Sequence, residues 1–153
     1  MKTFLQLVNQ ASVTPDGEKV SSIEHGYLLF TGFTEGDNEE TCKKMAEKIA
    51  KLRIFPDENG KTNKSIFDVN GNVLSVSQFT LYANCKEGNR PSFTNAMRPD
   101  QSKPLFALFN NMLREKFPNL ETGVFGADMK VELLNDGPFT LVLDSNELFG
   151  GKK

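Results

Sequence analysis

The chain has 153 residues, 38% of them apolar and 25% charged, which suits one soluble domain with a substantial core. Lys and Arg number 18 against 20 Asp and Glu, so the net charge of −2 excludes a broad basic face and any strong pull toward an acidic membrane. RNA contact, if made, is local.

Residues 1–13 alternate loosely and predict a strand. Thr14-Pro15-Asp16-Gly17 is turn chemistry, with Pro fixing φ and Gly free to take a positive one, and residues 18–23 predict the return strand. His25, the single histidine, falls in the turn Glu24-His25-Gly26 and reads as a surface residue, which argues against a histidine dyad or a zinc site. Residues 27–33 predict a third strand. Asp37 and Glu40 have the spacing of a helix start, and Cys42, Met45, Ala46, Ile49 and Leu52 recur every three or four residues, so residues 38–52 predict an amphipathic helix. Residues 53–55 predict a short strand, and residues 61–69 a loop with a helical turn.

Residues 73–83, VLSVSQFTLYA, are rich in strand formers and follow the turn signal Asn70-Gly71-Asn72, which predicts a central strand buried on both faces. Its polar cluster Ser77-Gln78-Phe79-Thr80 then needs partners, either neighbouring backbone or a polar ligand. Residues 84–100 form a polar loop carrying Lys86, Arg90 and Arg98, which reads equally as a solvated surface or as a clamp on phosphate or ribose. Residues 103–117 predict a second amphipathic helix, with Pro104 in its first turn and Pro118 after its end. Residues 122–125, 130–134 and 139–143 predict strands, the last two joined by a turn at Asn135-Asp136-Gly137-Pro138.

This order predicts an α+β fold, a mainly antiparallel, barrel-like sheet with two amphipathic helices packed on it. Residues 1–145 are read as the domain and residues 146–153 as a frayed tail. Cys42 and Cys85 read as free thiols, with a disulfide left open. No apolar run approaches the roughly 20 residues of a membrane helix, and no leader pattern opens the chain, so a cytoplasmic protein without membrane contact is expected. No cofactor or metal is called for.

Several segments together carry a resemblance. They are Gln10-Ala11-Ser12-Val13, Leu52-Arg53-Ile54-Phe55-Pro56-Asp57, Ser77-Gln78-Phe79-Thr80-Leu81, Arg90-Pro91-Ser92-Phe93, Phe125-Gly126-Ala127-Asp128-Met129 and Asn135-Asp136-Gly137-Pro138-Phe139-Thr140. Over nearly all of residues 1–145 the chain resembles the D-aminoacyl-tRNA deacylases, and SQFTL with NDGP-x-T is the specific part of the likeness.

The resemblance implies a homodimer that hydrolyses the ester between a D-amino acid and the terminal adenosine of tRNA. It implies a catalytic cluster at Ser77, Gln78, Phe79 and Thr80, a cis Gly137-Pro138 reaching into the partner's site for chiral selection, and adenosine held near Phe125 and Met129. Lys86, Arg90 and Arg98 would be the nearest basic residues to the tRNA. Backbone N–H groups around Phe79 and Thr80 would stabilise the oxyanion, with water attack assisted by an RNA 2′-hydroxyl, and Thr80 as nucleophile ranking second. Steric exclusion would admit D-amino acids of many kinds, and glycyl-tRNA as well. The alternative is a non-catalytic RNA- or nucleotide-binding dimer on the same scaffold. Two positions depart from the family pattern. Leu7 stands where the family usually has an Arg that buttresses the Gly-Pro turn, a role Leu cannot fill by hydrogen bonding, and Val124 stands where a basic residue is common.

Overall fold

The spine of the sheet is the long strand β1 (Lys2–Pro15), seen in a computed structural model that describes residues 1–17 and 19–150. On one side β1 pairs antiparallel with β2 (Ser21–Ile23) and β3 (Gly26–Gly32), and on the other with β8 (Met129–Asp144). Beyond β3 the sheet turns parallel, to β6 (Asn72–Ser77) and then β7 (Glu121–Thr122). The sheet is therefore mixed, antiparallel about β1 and parallel at β3-β6-β7, and it curls into a nearly closed barrel. The parallel half arises because each of its connections contains a helix long enough to carry the chain back to the starting edge. Those helices are α1 (Glu39–Lys51) and α2 (Pro99–Lys116). A small hairpin, β4 (Phe55–Pro56) with β5 (Thr62–Lys64), stands apart, where β5 replaces part of the expected loop.

Strands β3 and β6 are buried on both faces, and their alternation divides the core in two. Tyr27, Leu29 and Val73 face the helices with Met45, Ile49, Phe106, Phe109 and Leu113. Leu28, Leu74 and Val76 face inward with Val8, Ala11, Val13 and Ile23. Each Leu, Ile or Phe fully buried in these layers stabilises the fold by roughly 1.5–3 kcal/mol. The buried hydroxyl of Ser75 donates to Asn110 Oδ1 at 2.7 Å, which ties β6 to α2 and satisfies the one polar side chain in the middle of the strand.

Further expectations need correction. The helix cap is Asn38 rather than Asp37: Asn38 Oδ1 accepts from the Thr41 N–H at 3.1 Å, and Thr41 Oγ1 accepts from the Asn38 N–H at 3.2 Å. The Asp37 carboxylate is already engaged by the Met1 ammonium and the Thr34 N–H, each at 2.8 Å. Helix α2 starts four residues early, with Pro99 at the first helical position and Pro104 inside. Residues 130–134 and 139–143 are not two strands joined by a reversal, because both lie on β8 and pair in sequence with β1. Finally, the segment expected to fray forms a short helix, α3 (Ser145–Phe149), capped by Asp144, whose Oδ1 accepts from the Asn146 N–H at 2.9 Å. Glu18 of the expected return strand and the last three positions of the expected tail lie outside the described residues.

Cys42 is buried and Cys85 exposed, both as free thiols, and burial pushes the Cys42 thiol up to about 12. Among the described residues no helix is long and apolar enough to cross a membrane. The cap predicts a modest, local effect. Asn38→Ala should lower unfolding free energy by about 1 kcal/mol in a urea titration, with the m-value unchanged.

Candidate active site

Strand β6 stops at Ser77, well short of the apolar run that was expected to continue it. The Gln78 N–H donates to the Thr31 carbonyl at 2.8 Å, the last bond toward β3, and the chain then winds into a 3-10 turn, Phe79–Tyr82. Ser77 to Thr80 therefore sit at the strand's C-terminal end, where a ligand has access, and not in its middle. The turn crosses the end of β3 at Gly32, where a Cβ would lie 2.7 Å from the Gln78 carbonyl oxygen. Only glycine fits beneath it.

A 3-10 turn leaves its first N–H groups without a carbonyl ahead of them. Here those groups belong to Phe79 and Thr80, and among the described residues neither donates to a backbone carbonyl outside the turn. The Leu81 N–H donates to the Gln78 carbonyl at 3.3 Å and the Ala83 N–H to the Thr80 carbonyl at 3.0 Å, so the turn holds its shape while its leading amides stay open. The Gln78 side-chain amide donates to Thr80 Oγ1 and braces the turn across its opening. From below, Lys2 Nζ sits 4.8 Å from the centre of the Tyr82 ring. Burial, with Asp37 and Asp144 adding to it, pushes the Tyr82 phenol above its ordinary range and keeps it neutral.

Ser77, Gln78 and Phe79 line a cleft of about 710 Å³. Phe30, Val76, Met129 and Val131 border it from the inner core, and Phe125, Phe93, Met97 and Ser102 from the loops and from α2. Phe79 and Phe93 meet edge to face at 5.2 Å and are 57% and 40% exposed, so two open aromatic faces stand at its mouth. Such faces suit a planar base. The charged lining residues are Arg98 and Asp128. Asp128 is engaged by Lys130 at 2.6 Å, and that hydrogen bond holds the Lys130 ammonium above its usual range. Among the described residues no histidine, cysteine or lysine lines the cleft. The arrangement offers oriented donors and apolar walls rather than an acid–base pair.

Comparison with known proteins bears directly on this geometry. Residues 4–144 match the family described as D-Tyr-tRNA(Tyr) deacylase. The chain belongs to that family. It is 60% identical to a D-aminoacyl-tRNA deacylase of Lactobacillus gasseri, over 94% of this chain and 99% of the relative. It is 50% identical to one of Thermus aquaticus, over 99% of this chain and all of the relative. Among solved structures, one named c-Myc DNA Unwinding Element Binding Protein is 39% identical with a TM-score of 0.87, covering 94% of this chain and 98% of its own. A second, described as a probable eukaryotic D-amino acid tRNA deacylase, is 15% identical with a TM-score of 0.82, covering 93% and 97%, and shares the fold.

Against this deacylase family, the residues singled out in the sequence fall into three places. Ser77, Gln78 and Phe79 share the cleft with Phe125, Met129 and Arg98, while Thr80 belongs to the same turn but lies outside the lining. Lys86 and Arg90 are exposed on the loop and do not reach the cleft. Gly137 and Pro138 are also absent from it. They lie in an outward loop of β8, exposed, with the peptide bond between them cis and Gly137 at φ +135°, where a side chain would be strained. Sequence reasoning passed over Phe93 and Ser102. Phe93 lay within a family segment but had no spacing to mark it, and Ser102 faces the cleft only because α2 begins at Pro99.

Gly32 is the test of the turn. Gly32→Ala should displace the turn and reduce activity by a factor of at least ten, with a far-UV circular dichroism spectrum like that of the wild type.

Proposed function

We propose that this chain hydrolyses the ester bond of D-aminoacyl-tRNA, releasing the free D-amino acid and the tRNA, as the names of its relatives describe. The observation that carries the reading is the pair of open N–H groups at Phe79 and Thr80, set at the edge of an apolar cleft in a chain so similar to deacylases. An aminoacyl ester is already activated, so the main demand is to orient water and stabilise the developing oxyanion. One pre-organised donor in such a hole contributes roughly 3–4 kcal/mol to the transition state. With no histidine among the described lining residues and Asp128 paired with Lys130, water attack assisted by the RNA 2′-hydroxyl ranks above covalent attack by Thr80. Phe125 and Met129, with Phe79 and Phe93 nearby, would hold the terminal adenosine. Arg98 at the cleft, and Lys86 and Arg90 farther along the same loop, would meet the acceptor end of the tRNA.

The reading includes a homodimer. Gly137 and Pro138 are exposed and lie outside their own chain's cleft, so they act on a substrate only across an interface. Strand β8, whose pairing among the described residues is with β1 alone, exposes Leu133, Leu134 and Val142 at 37%, 52% and 58%. That is the composition of an edge awaiting a partner. In the partner's cleft the Gly137 and Pro138 carbonyls would take the α-ammonium and crowd one side of Cα. A D side chain then points out, an L side chain collides, and glycine has none to exclude.

D-tyrosyl-tRNA and glycyl-tRNA should therefore lose their amino acids while L-tyrosyl-tRNA stays charged, followed by chromatography of the released amino acid. Equal and slow loss of both tyrosyl esters would point instead to a nucleic-acid-binding protein without catalysis, a reading in keeping with the DNA-element-binding name of the 39% identical solved relative. The shared site has its own test. Gly32→Ala, with its turn displaced, and Gly137→Val, chosen because its larger side chain would obstruct the partner's cleft, should each give homodimers of low activity; unfolded and refolded together they should regain about a quarter of the wild-type rate, because half the dimers are mixed and each holds one complete site. Thr80→Ala, which keeps its backbone N–H, should retain activity, whereas a substrate ending in 2′-deoxyadenosine should react far more slowly.

A further inference from the structure

The pairing of β1 with β8 runs from Lys2 opposite Asp144 to Gln6 opposite Thr140, and resumes at Val8 opposite Asn135. One residue of β1, Leu7, therefore stands opposite four of β8, Asp136 to Phe139. The extra length is pushed outward, and it contains the Gly137-Pro138 corner. A loop of this kind breaks the ladder and leaves backbone groups at its neck in need of partners.

At the neck those partners come from one side chain. Asn135 Nδ2 donates to the Leu7 carbonyl at 2.9 Å and to the Phe139 carbonyl at 3.0 Å, and Asn135 Oδ1 accepts from the Phe139 N–H at 3.1 Å. The carboxamide thus takes the place of a peptide group in the ladder, pairing with Phe139 on both its donor and its acceptor and with Leu7 across the strand. Both N–H bonds of the carboxamide and its oxygen are engaged at the neck, beside the exposed corner. The Leu7 side chain takes no part, since it is buried at 5% exposure in the core and only its carbonyl reaches the loop.

We infer that Asn135 is the positioning residue of the Gly137-Pro138 corner, which it holds by bridging the two sides of the loop's neck. This rests on the reading that the corner sorts amino-acid handedness in the partner's cleft. Asn135 touches no substrate; it fixes the direction in which the corner's carbonyls point. Aspartate has the same shape but no donors, and it would set a negative charge against two carbonyl oxygens. Asn135→Asp is therefore the sharper variant and Asn135→Ala the plain deletion.

The experiment measures the ratio of D-tyrosyl- to L-tyrosyl-tRNA cleavage for Asn135→Ala, Asn135→Asp and Gly137→Ala, with melting temperature, dimer content and amide exchange at Phe139 recorded for each. The expected result is a fall in the D-to-L ratio of roughly tenfold or more in both Asn135 variants, chiefly through faster loss of the L ester, with the dimer intact and Phe139 exchange accelerated. An unchanged ratio in both Asn135 variants, with the ratio lost in Gly137→Ala, overturns the inference and leaves the role of the corner standing. An unchanged ratio in all three overturns the role of the corner itself. Equal loss of D and L cleavage with a lowered melting temperature also overturns the inference, because a merely structural residue behaves in that way.

Discussion

The hydrogen bond from the Gln78 N–H to the Thr31 carbonyl, at 2.8 Å, is the last connection between β6 and β3, and the site begins where it ends. Up to that point the backbone of β6 is consumed by its neighbours. One residue later the chain leaves the sheet, and the amides of Phe79 and Thr80 lead a turn that has no carbonyl to offer them. An open donor pair on a rigid base is hard to make from side chains, which need several torsions held. Here it follows from ending a parallel strand abruptly and folding the rest of an apolar run back over Gly32. Leu81 and Tyr82 anchor the turn by partial burial, which lets Phe79 stand out from it.

The second constraint is the long antiparallel pairing of β1 with β8. A strand that continues on both sides of an insertion holds the inserted loop by two firm ends, and the Asn135 carboxamide closes the neck between them. A hairpin tip at the same sequence would be tethered at its base alone and would be free to sway. The two polar sites of the molecule are thus built by opposite means. One comes from withdrawing partners at the end of a strand, and the other from supplying substitutes in the middle of one.

The composition of the described cleft lining bears on the chemistry proposed for it. Asp128 is paired with Lys130, and apart from Arg98 the remaining walls are largely apolar. Donors in such surroundings act on developing charge more strongly than they would in water. On the proposed reading the substrate brings its own activated bond and an adjacent hydroxyl, and an aminoacyl ester of RNA has both.

Much of this was legible in the residues themselves. Local patterning marked the early strands, the apolar stripe of α1 and the residue types of the two polar clusters, because alternation, helical spacing and turn chemistry are written in neighbouring residues. The SQFTL and NDGP-x-T segments pointed to the family because both are short and local. Tertiary structure alone decided the rest. The apolar character of residues 73–83 could not reveal that the strand stops at Ser77, because the stop depends on where β3 ends and on the missing Cβ of Gly32. Turn chemistry at residues 135–138 read as a reversal, and only pairing with a β1 that runs past it on both sides makes it an outward loop. Asp37 and Asn38 are both good caps by type. The choice between them was made by the Met1 ammonium, which arrives from the far end of β1 and takes the aspartate first.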